Sequence, residues 1–436
     1  LISPLHIALE KFANQSRVPP TKRPAILTDI LPKDFVAKNV GVCTLEEAVY
    51  GIPGYMKSID MDTSAGYFFK KHGLTRRQLC YDSEGMPRIH ELLRKEVEMR
   101  IHAAQRGLCY PVVFEETLKD EIRSEEKNAE YLTRLFSSGD FASLVVQKMY
   151  LGRFFVEFTK DPIGSPVGLT INPHSRDWGL LFSRLKGEPK ERRKCGAGDF
   201  RNYDISLKNE IKEAFTDLVT YFFTEEEAAV IVIIIDANFN GWHIVGVLVF
   251  IRPWGTSSGS FITSMFNSFA NWYLHKKAFI AIYSEEDWKV VETTFTGDDS
   301  VFSVPEKYEK YNMQYLSEFF KETEAMVYTS PTKTSEMTVE WEDLQYLKRK
   351  FVLGHAGIMA PLAERSIANM VKWTDTNQDL VVMTSVVNSV LLEAWHYGEE
   401  FYNKCLEWVK REERRLEVIF RVPDWKGMKT LREPDY

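Results

Sequence analysis

Two like charges side by side are costly to hold, yet Asp298 and Asp299 follow Gly297 directly in the stretch FTGDDSVFSV. The flanks VVETTF and SVFSV are rich in β-branched and aromatic residues, so the segment reads as strand, tight turn, strand. A solvated hairpin turn is the ordinary use of Gly-Asp. The alternative is that the turn projects both carboxylates into a cleft, where a divalent cation removes their repulsion. Such a cation needs further oxygen ligands, and Asp199 and Asp204 offer them, five residues apart in GDFRNYD after a strand-like run. Asp204 on its own reads as a helix cap. A third set lies in SSGSFITSMFNSF, where Ser258 and Gly259 form a turn and Thr263 and Asn267 share one helix face four residues apart. Those side chains serve either as packing groups bonded to backbone or as readers of a sugar hydroxyl.

The elements that must position these groups are those of an α+β chain. Its 436 residues are long for one simple core, so two or three subdomains are expected. The pattern predicts an amphipathic helix over 90–106 and a capped helix over 137–151. It also predicts a helix after Asp204, a strand in WHIVGVLVFI, a helix over 307–322, strand and turn in MTVEWEDLQYLKRKFV and a helical remainder beyond 352. The run IVIIID is ambiguous, because β-branched residues favour strands while the preceding TEEEAA resembles a helix start. The longest apolar stretch, AAVIVIII, is too short to span a bilayer, and no secretory leader is visible. Five scattered cysteines, none in a C-x-x-C pair, read as free thiols in a reducing compartment. The net charge of −7 argues against a nucleic-acid partner only until its distribution is considered. SRLKGEPKERRK and YLKRK gather positive charge that suits phosphate.

Several chemistries are set aside. GAGDFR begins like a dinucleotide fingerprint but has Arg201 where the third glycine belongs, and there is no P-loop or H-E-x-x-H motif. The nine histidines show no ligand spacing and read as structural.

Taken in order, D-x-x-x-x-D at 199–204, S-G-x-x-x-T-x-x-x-N-S at 258–268, G-D-D at 297–299 and YLKR at 346–349 resemble the palm motifs of RNA-dependent RNA polymerases. More closely, the chain resembles the enzymes of picornavirus-like positive-strand RNA viruses. The likeness extends over most of the chain: LEEAVYG and DTSAGY resemble the segment at the template entrance, LKDEIRSEEKNAEYLTRLF the basic fingers motif, and EAWHYGEEFYNK the thumb. Each motif alone is weak, whereas their order and spacing are specific. The chain departs from the pattern at Thr296, where the family usually has Tyr, and at Leu132, where a further Lys is common. It also opens without Met and lacks much of the N-terminal finger segment, as expected from excision out of a polyprotein or from trimming.

The resemblance implies a right-hand architecture with fingers, a palm built on an antiparallel sheet flanked by helices, and a helical thumb. The expected partition is fingers over 1–160, palm over 161–205, a palm helix and returning fingers segment over 206–257, palm again over 258–350 and thumb over 351–436. It further implies two Mg²⁺ ions, replaceable by Mn²⁺, on Asp199, Asp298 and Asp299. Asp204, Ser258, Gly259, Thr263 and Asn267 would select the ribonucleotide; Lys119, Arg123, Lys127 and Arg134 would hold its triphosphate; Lys333 would protonate the pyrophosphate leaving group. Thr63, Ser64, Lys348 and Arg349 would contact template and primer RNA. Implied partners are a small protein primer and other viral replication proteins, in membrane-associated complexes of the host cytoplasm. A reverse transcriptase would need a bulky group against the 2′ hydroxyl where this chain has Asp204 and Asn267. A silent RNA-binding scaffold would have little use for Asp199, Asp298, Asp299 and Lys333 together.

Overall fold

The computed structural model describes residues 21–121, 125–252, 255–331, 339–372, 379–432 and 435. Arg123 and Lys333 lie outside the described residues, as does the side chain of Lys127.

Two four-stranded sheets organise the molecule. β1 (Val113–Leu118) and β2 (Leu135–Ser138) pair antiparallel, with Glu116 opposite Ser137. β3 (Arg193–Arg201) starts the second sheet before the chain returns to the first with β4 (Trp242–Val245) and β5 (Leu248–Ile251). The WHIVGVLVFI segment is therefore a hairpin and not one strand, because Gly246 turns the chain with φ +58°. The first sheet runs β2-β1-β4-β5, with β1 and β4 parallel. β6 (Glu292–Thr296), β7 (Asp299–Pro305) and β8 (Val327–Thr329) complete the second, ordered β6-β7-β3-β8 and antiparallel throughout. A short hairpin of β9 (Gln345–Tyr346) and β10 (Arg349–Lys350) follows.

Helices cover these sheets. The expected helices appear at Glu91–Gln105 and Phe141–Thr159, the latter capped by Asp140, whose carboxylate accepts from the Ser143 N–H at 2.9 Å. The ambiguous IVIIID run is helical, within Glu225–Phe239. A capping box of Thr224 with Glu227 and three glutamates in the first turn start it, and Val230, Ile231, Ile234 and Ile235 bury one face. Tertiary burial thus overrides β propensity. The helix expected over 307–322 is shorter, Met313–Phe319, and passes into a π turn at Phe320–Glu324. The largest core surrounds the buried Thr263–Ile282 helix, a second joins Trp178 to Tyr346 and Phe351, and a third holds Leu391, Trp395 and Tyr402 of the C-terminal helices.

Candidate active site

The acidic turn sits between β6 and β7. Thr296 pairs with Asp299, and Gly297 occupies the first turn position with φ +61°, as a tight hairpin requires. The turn is fixed from below by the Thr263–Ile282 helix. Asn271 Nδ2 donates to the carbonyls of Gly297 (2.9 Å) and Asp298 (3.0 Å), and the Gly297 N–H donates to Ser268 Oγ (3.0 Å). Both side chains are fully buried. Ser268 closes the S-G-x-x-x-T-x-x-x-N-S motif but has no role assigned from sequence, and Asn271 is not singled out there, although Thr263, Asn267 and Asn271 form one i, i+4, i+8 stripe.

β3 brings the third carboxylate. Gly198 pairs with Ser300, so the same register sets Asp199 beside Asp299. Gly198 has no side chain because the Tyr328 ring packs there: an added Cβ would lie 2.1 Å from it. The Tyr328 hydroxyl shares a hydrogen bond with Ser300 Oγ at 2.8 Å beneath the acids.

Electrostatics mark the three carboxylates as a unit. Burial, then the charges of Asp298 and Asp299, push Asp199 up to about 7. Burial and Asp298 push Asp299 to about 6, against the pull of Lys348. Asp199 and Asp299, which resist ionisation because they are buried and then because like charge crowds them, are suited to a divalent cation, whose charge reverses the penalty.

Facing them is the polar set. Asp204 lies inside a one-turn helix, Tyr203–Ser206, rather than capping one, and its Oδ1 accepts from Asn267 Nδ2 at 2.7 Å. Burial raises the Asp204 carboxyl against the opposing effect of that bond. Asn267 Oδ1 is buried and has no protein partner among the described residues. Thr263 Oγ1 instead donates to the Ser257 carbonyl at 2.5 Å, which ties the preceding turn to the helix. Ser258 Oγ accepts from the Ser137 N–H at 3.1 Å, and Gly259 touches the backbone of Ser137 and Gly139 so closely that a Cβ would lie 2.1 Å from the Ser137 oxygen. The structure therefore brings Asp204 and Asn267 into direct contact, while Ser258, Gly259 and Thr263 are bound to backbone in the adjoining turn.

Of the basic residues, Lys119 and Arg134 stand at paired strand ends, the Lys119 N–H donating to the Arg134 carbonyl at 2.8 Å. Arg134 is held by the Glu121 carboxylate, which raises its pKa, and its charge also reaches Asp298 and Asp204. Thr63 and Ser64 lie in the loop before the Gly66–Lys71 helix, where the Ser64 carbonyl accepts from Arg76 Nε at 2.8 Å. Leu347 and Lys348 turn the β9–β10 hairpin with φ of 52° and 61°, and this presents exposed Lys348 toward Asp299.

Arg349 takes a different place from the one expected. It is 8 % exposed and forms two hydrogen bonds with Glu393, at 2.7 and 2.6 Å, so its guanidinium joins the hairpin to the C-terminal helices and does not face an open groove. Two histidines gather at the same junction, which their sequence spacing did not reveal. The His396 Nδ1 accepts the Ala360 N–H (3.2 Å), its Nε2 faces His174 Nδ1 at 2.8 Å, and His174 Nε2 lies 3.4 Å from Glu393. These atoms are close enough to suggest a metal centre. A metal-bound imidazole donates its second N–H, whereas His396 accepts there, and Glu393 is already occupied by Arg349. The arrangement is a hydrogen-bond relay.

The family model for viral RNA-dependent RNA polymerase matches residues 28–412. The chain belongs to the viral RNA-dependent RNA polymerases. The replicase polyprotein of Acute bee paralysis virus (strain Rothamsted) is 29% identical over 392 residues, covering 83% of this chain and 20% of the polyprotein. The genome polyprotein of Human rhinovirus 14 is 24% identical over 413 residues, covering 92% of this chain and 17% of the polyprotein. The chain thus spans a fifth or less of the length of these curated relatives. A solved Sicinivirus 3Dpol RNA-dependent RNA polymerase superposes with a TM-score of 0.81 at 19% identity, covering 100% of this chain and 89% of that one. The fold is accordingly the α+β right hand that the resemblance implied. No helix among the described residues is long and apolar enough to cross a membrane.

Proposed function

We propose that this RNA-directed RNA polymerase extends an RNA 3′ end on an RNA template with ribonucleoside triphosphates, in replication of a picornavirus-like genome. The observation that carries this reading is the meeting of Asp199, Asp298 and Asp299 at neighbouring strand ends, opposite the Asp204–Asn267 pair. The three aspartates suit two magnesium ions, or manganese, which when bound would activate the primer hydroxyl and hold the triphosphate and leaving group. The remaining work belongs to side chains. Asp204 and Asn267 receive the ribose 2′ hydroxyl, which both donates and accepts. Ser258 and Gly259 shape the turn beside it. Lys119 and Arg134, with Arg123 and Lys127, neutralise the triphosphate. Lys333 protonates the departing pyrophosphate, and Lys348 grips the primer while Thr63 and Ser64 meet the template.

In this reading the second sheet is the palm, the first belongs to the fingers, and residues 351–436 form the thumb. A small protein primer and other viral replication proteins are the proposed partners, in membrane-associated complexes of the host cytoplasm. Primer extension on a homopolymer template tests the proposal. Magnesium-dependent incorporation of ribonucleotides, with deoxyribonucleotides strongly disfavoured, is the expected result. Equal use of both sugars, or extension without divalent metal, would refute it.

A further inference from the structure

Behind the Thr256–Gly259 turn runs a buried chain of side chains that the chemistry above does not use. Arg252, at 4 % exposure just past β5, donates through Nε to His243 Nε2 (3.0 Å), through Nη1 to the Thr256 carbonyl (3.3 Å) and through Nη2 to Ser257 Oγ. His243 on β4 is 1 % exposed and gives its Nδ1 proton to Glu116 Oε1 at 2.6 Å. Ser137 Oγ donates to the same oxygen at 2.6 Å. Phe114 and Phe250 stack on the two sides of the imidazole, each with ring centres 5.2 Å away.

The order of donors and acceptors leaves one tautomer. His243 is neutral, with its proton on Nδ1, because Nε2 must accept from Arg252. Burial favours that neutral form, and the nearby guanidinium adds to it against the pull of Glu116. Burial alone would protonate Glu116, but the hydrogen bonds from His243 and Ser137 outweigh it and hold the carboxyl below its usual range. The chain is thus a fixed carboxylate, imidazole and guanidinium, running from β1 of the fingers sheet to the turn.

The turn then connects to the site. The Ser257 carbonyl accepts from Thr263, one helical turn before Asn267, and Ser258 follows directly. The Arg252 charge also reaches Asp204 and opposes the effect of burial on that carboxyl. A buried arginine is expensive, and an apolar side chain would fill such a space at lower cost. Its fork of donors has two destinations on the turn, which an apolar group would lack.

We propose that Arg252 is a positioning residue for sugar selection: held by His243 and Glu116, it fixes the Thr256–Ser258 turn and supports the charge of Asp204 where the ribose is received. This rests on the reading of Asp204 and Asn267 as the ribose pair. Because it acts through other residues, it should affect discrimination between sugars more than the chemistry common to both.

The test compares kcat/KM for a ribonucleoside triphosphate and its 2′-deoxy counterpart in the full chain and in four variants. Arg252→Gln and His243→Leu should each lower ribonucleotide efficiency about ten-fold while changing the deoxy substrate much less, the effect of losing one hydrogen bond from a charged donor. His243→Gln should stay within about two-fold of the parent ratio, since its amide can both donate to Glu116 and accept from Arg252. Thermal unfolding identifies a variant that fails to fold, and the other member of the Arg252→Gln and His243→Leu pair then decides. If both sugars fall equally in the folded variants, the residues merely hold the fold and the inference is wrong. Asn267→Ala separates the two levels: a narrowed ratio there with an unchanged ratio in Arg252→Gln overturns the positioning role alone. An unchanged ratio in Asn267→Ala overturns the ribose reading beneath it.

Discussion

At the scale of single residues, the site depends on charges that repel until a cation joins them. Asp298→Ala removes one of the three carboxylates without touching the buried contacts of the turn, because Asn271 and Ser268 bind its backbone. Extension should fall roughly a thousand-fold or more, with thermal unfolding and RNA binding nearly unchanged. Near-normal extension would remove the acidic turn from the chemistry. Lys333 belongs to the same scale. As the proposed proton donor, its replacement by Leu should slow single-turnover incorporation by about a hundred- to ten-thousand-fold, with nucleotide binding little altered. Rapid-quench rates at saturating nucleotide check this, and a rate within a few-fold of the parent would make Lys333 an ordinary surface lysine.

At the scale of elements, the acidic turn is as rigid as the helix beneath it. Asn271 is completely buried and spends both Nδ2 protons on the turn carbonyls. Asn271→Ala leaves those carbonyls unpaired and should cost about 1–3 kcal/mol of stability, measured by urea unfolding. It should also lower the extension rate although residue 271 contacts no reactant. A variant with the lost stability and a parental rate would show that the turn holds its shape unaided. β3 makes a matching demand: Gly198→Ala would drive a Cβ into the Tyr328 ring, the ring that supports Ser300.

At the scale of the whole molecule, the β9–β10 hairpin and the C-terminal helices are joined through Arg349 and Glu393, with His174 and His396 alongside. Breaking a buried pair from one side strands a charge, so Glu393→Ala should destabilise the protein by about 3–5 kcal/mol. The same junction predicts an acid response. Glu393 works against burial but is held down to about 2 by His174 and Arg349, so its contribution is present above the ordinary 4.5 and is lost as pH falls toward 2. Burial, then His174 and Arg349, hold His396 near 3, so the folded protein excludes a proton that the unfolded chain takes up below the ordinary 6.5. Both effects have the same sign: the junction's contribution to stability declines as pH falls from about 6.5, against the gain from protonating the raised carboxyls of Asp199 and Asp299. In thermal melts from pH 7.5 to 4.5, His396→Gln should lose less stability than the parent as pH falls, because its residue 396 has no proton to exclude. The same pH response in parent and variant would place the acid-sensitive group elsewhere.

What the sequence determined by itself was local. Gly297 before two acids between β-branched runs specified a hairpin, because a tight turn needs positive φ and pleated neighbours. The Thr263–Asn267 spacing specified one helix face, because 3.6 residues make a turn. The resemblance of motifs in order then supplied the family. Tertiary structure decided what no local period encodes. It set Asp199 beside Asp299 across the β3–β7 register, made IVIIID a helix by burying one of its faces, and turned Arg349 away toward Glu393. It also assembled Glu116 of β1 and His243 of β4 with Arg252, just past β5. Pairings such as Asp199 with Asp299 and Glu116 with His243, a hundred or more positions apart, leave no repeating trace in the chain, since they depend on how sheets and helices pack and on which charges that packing excludes from water.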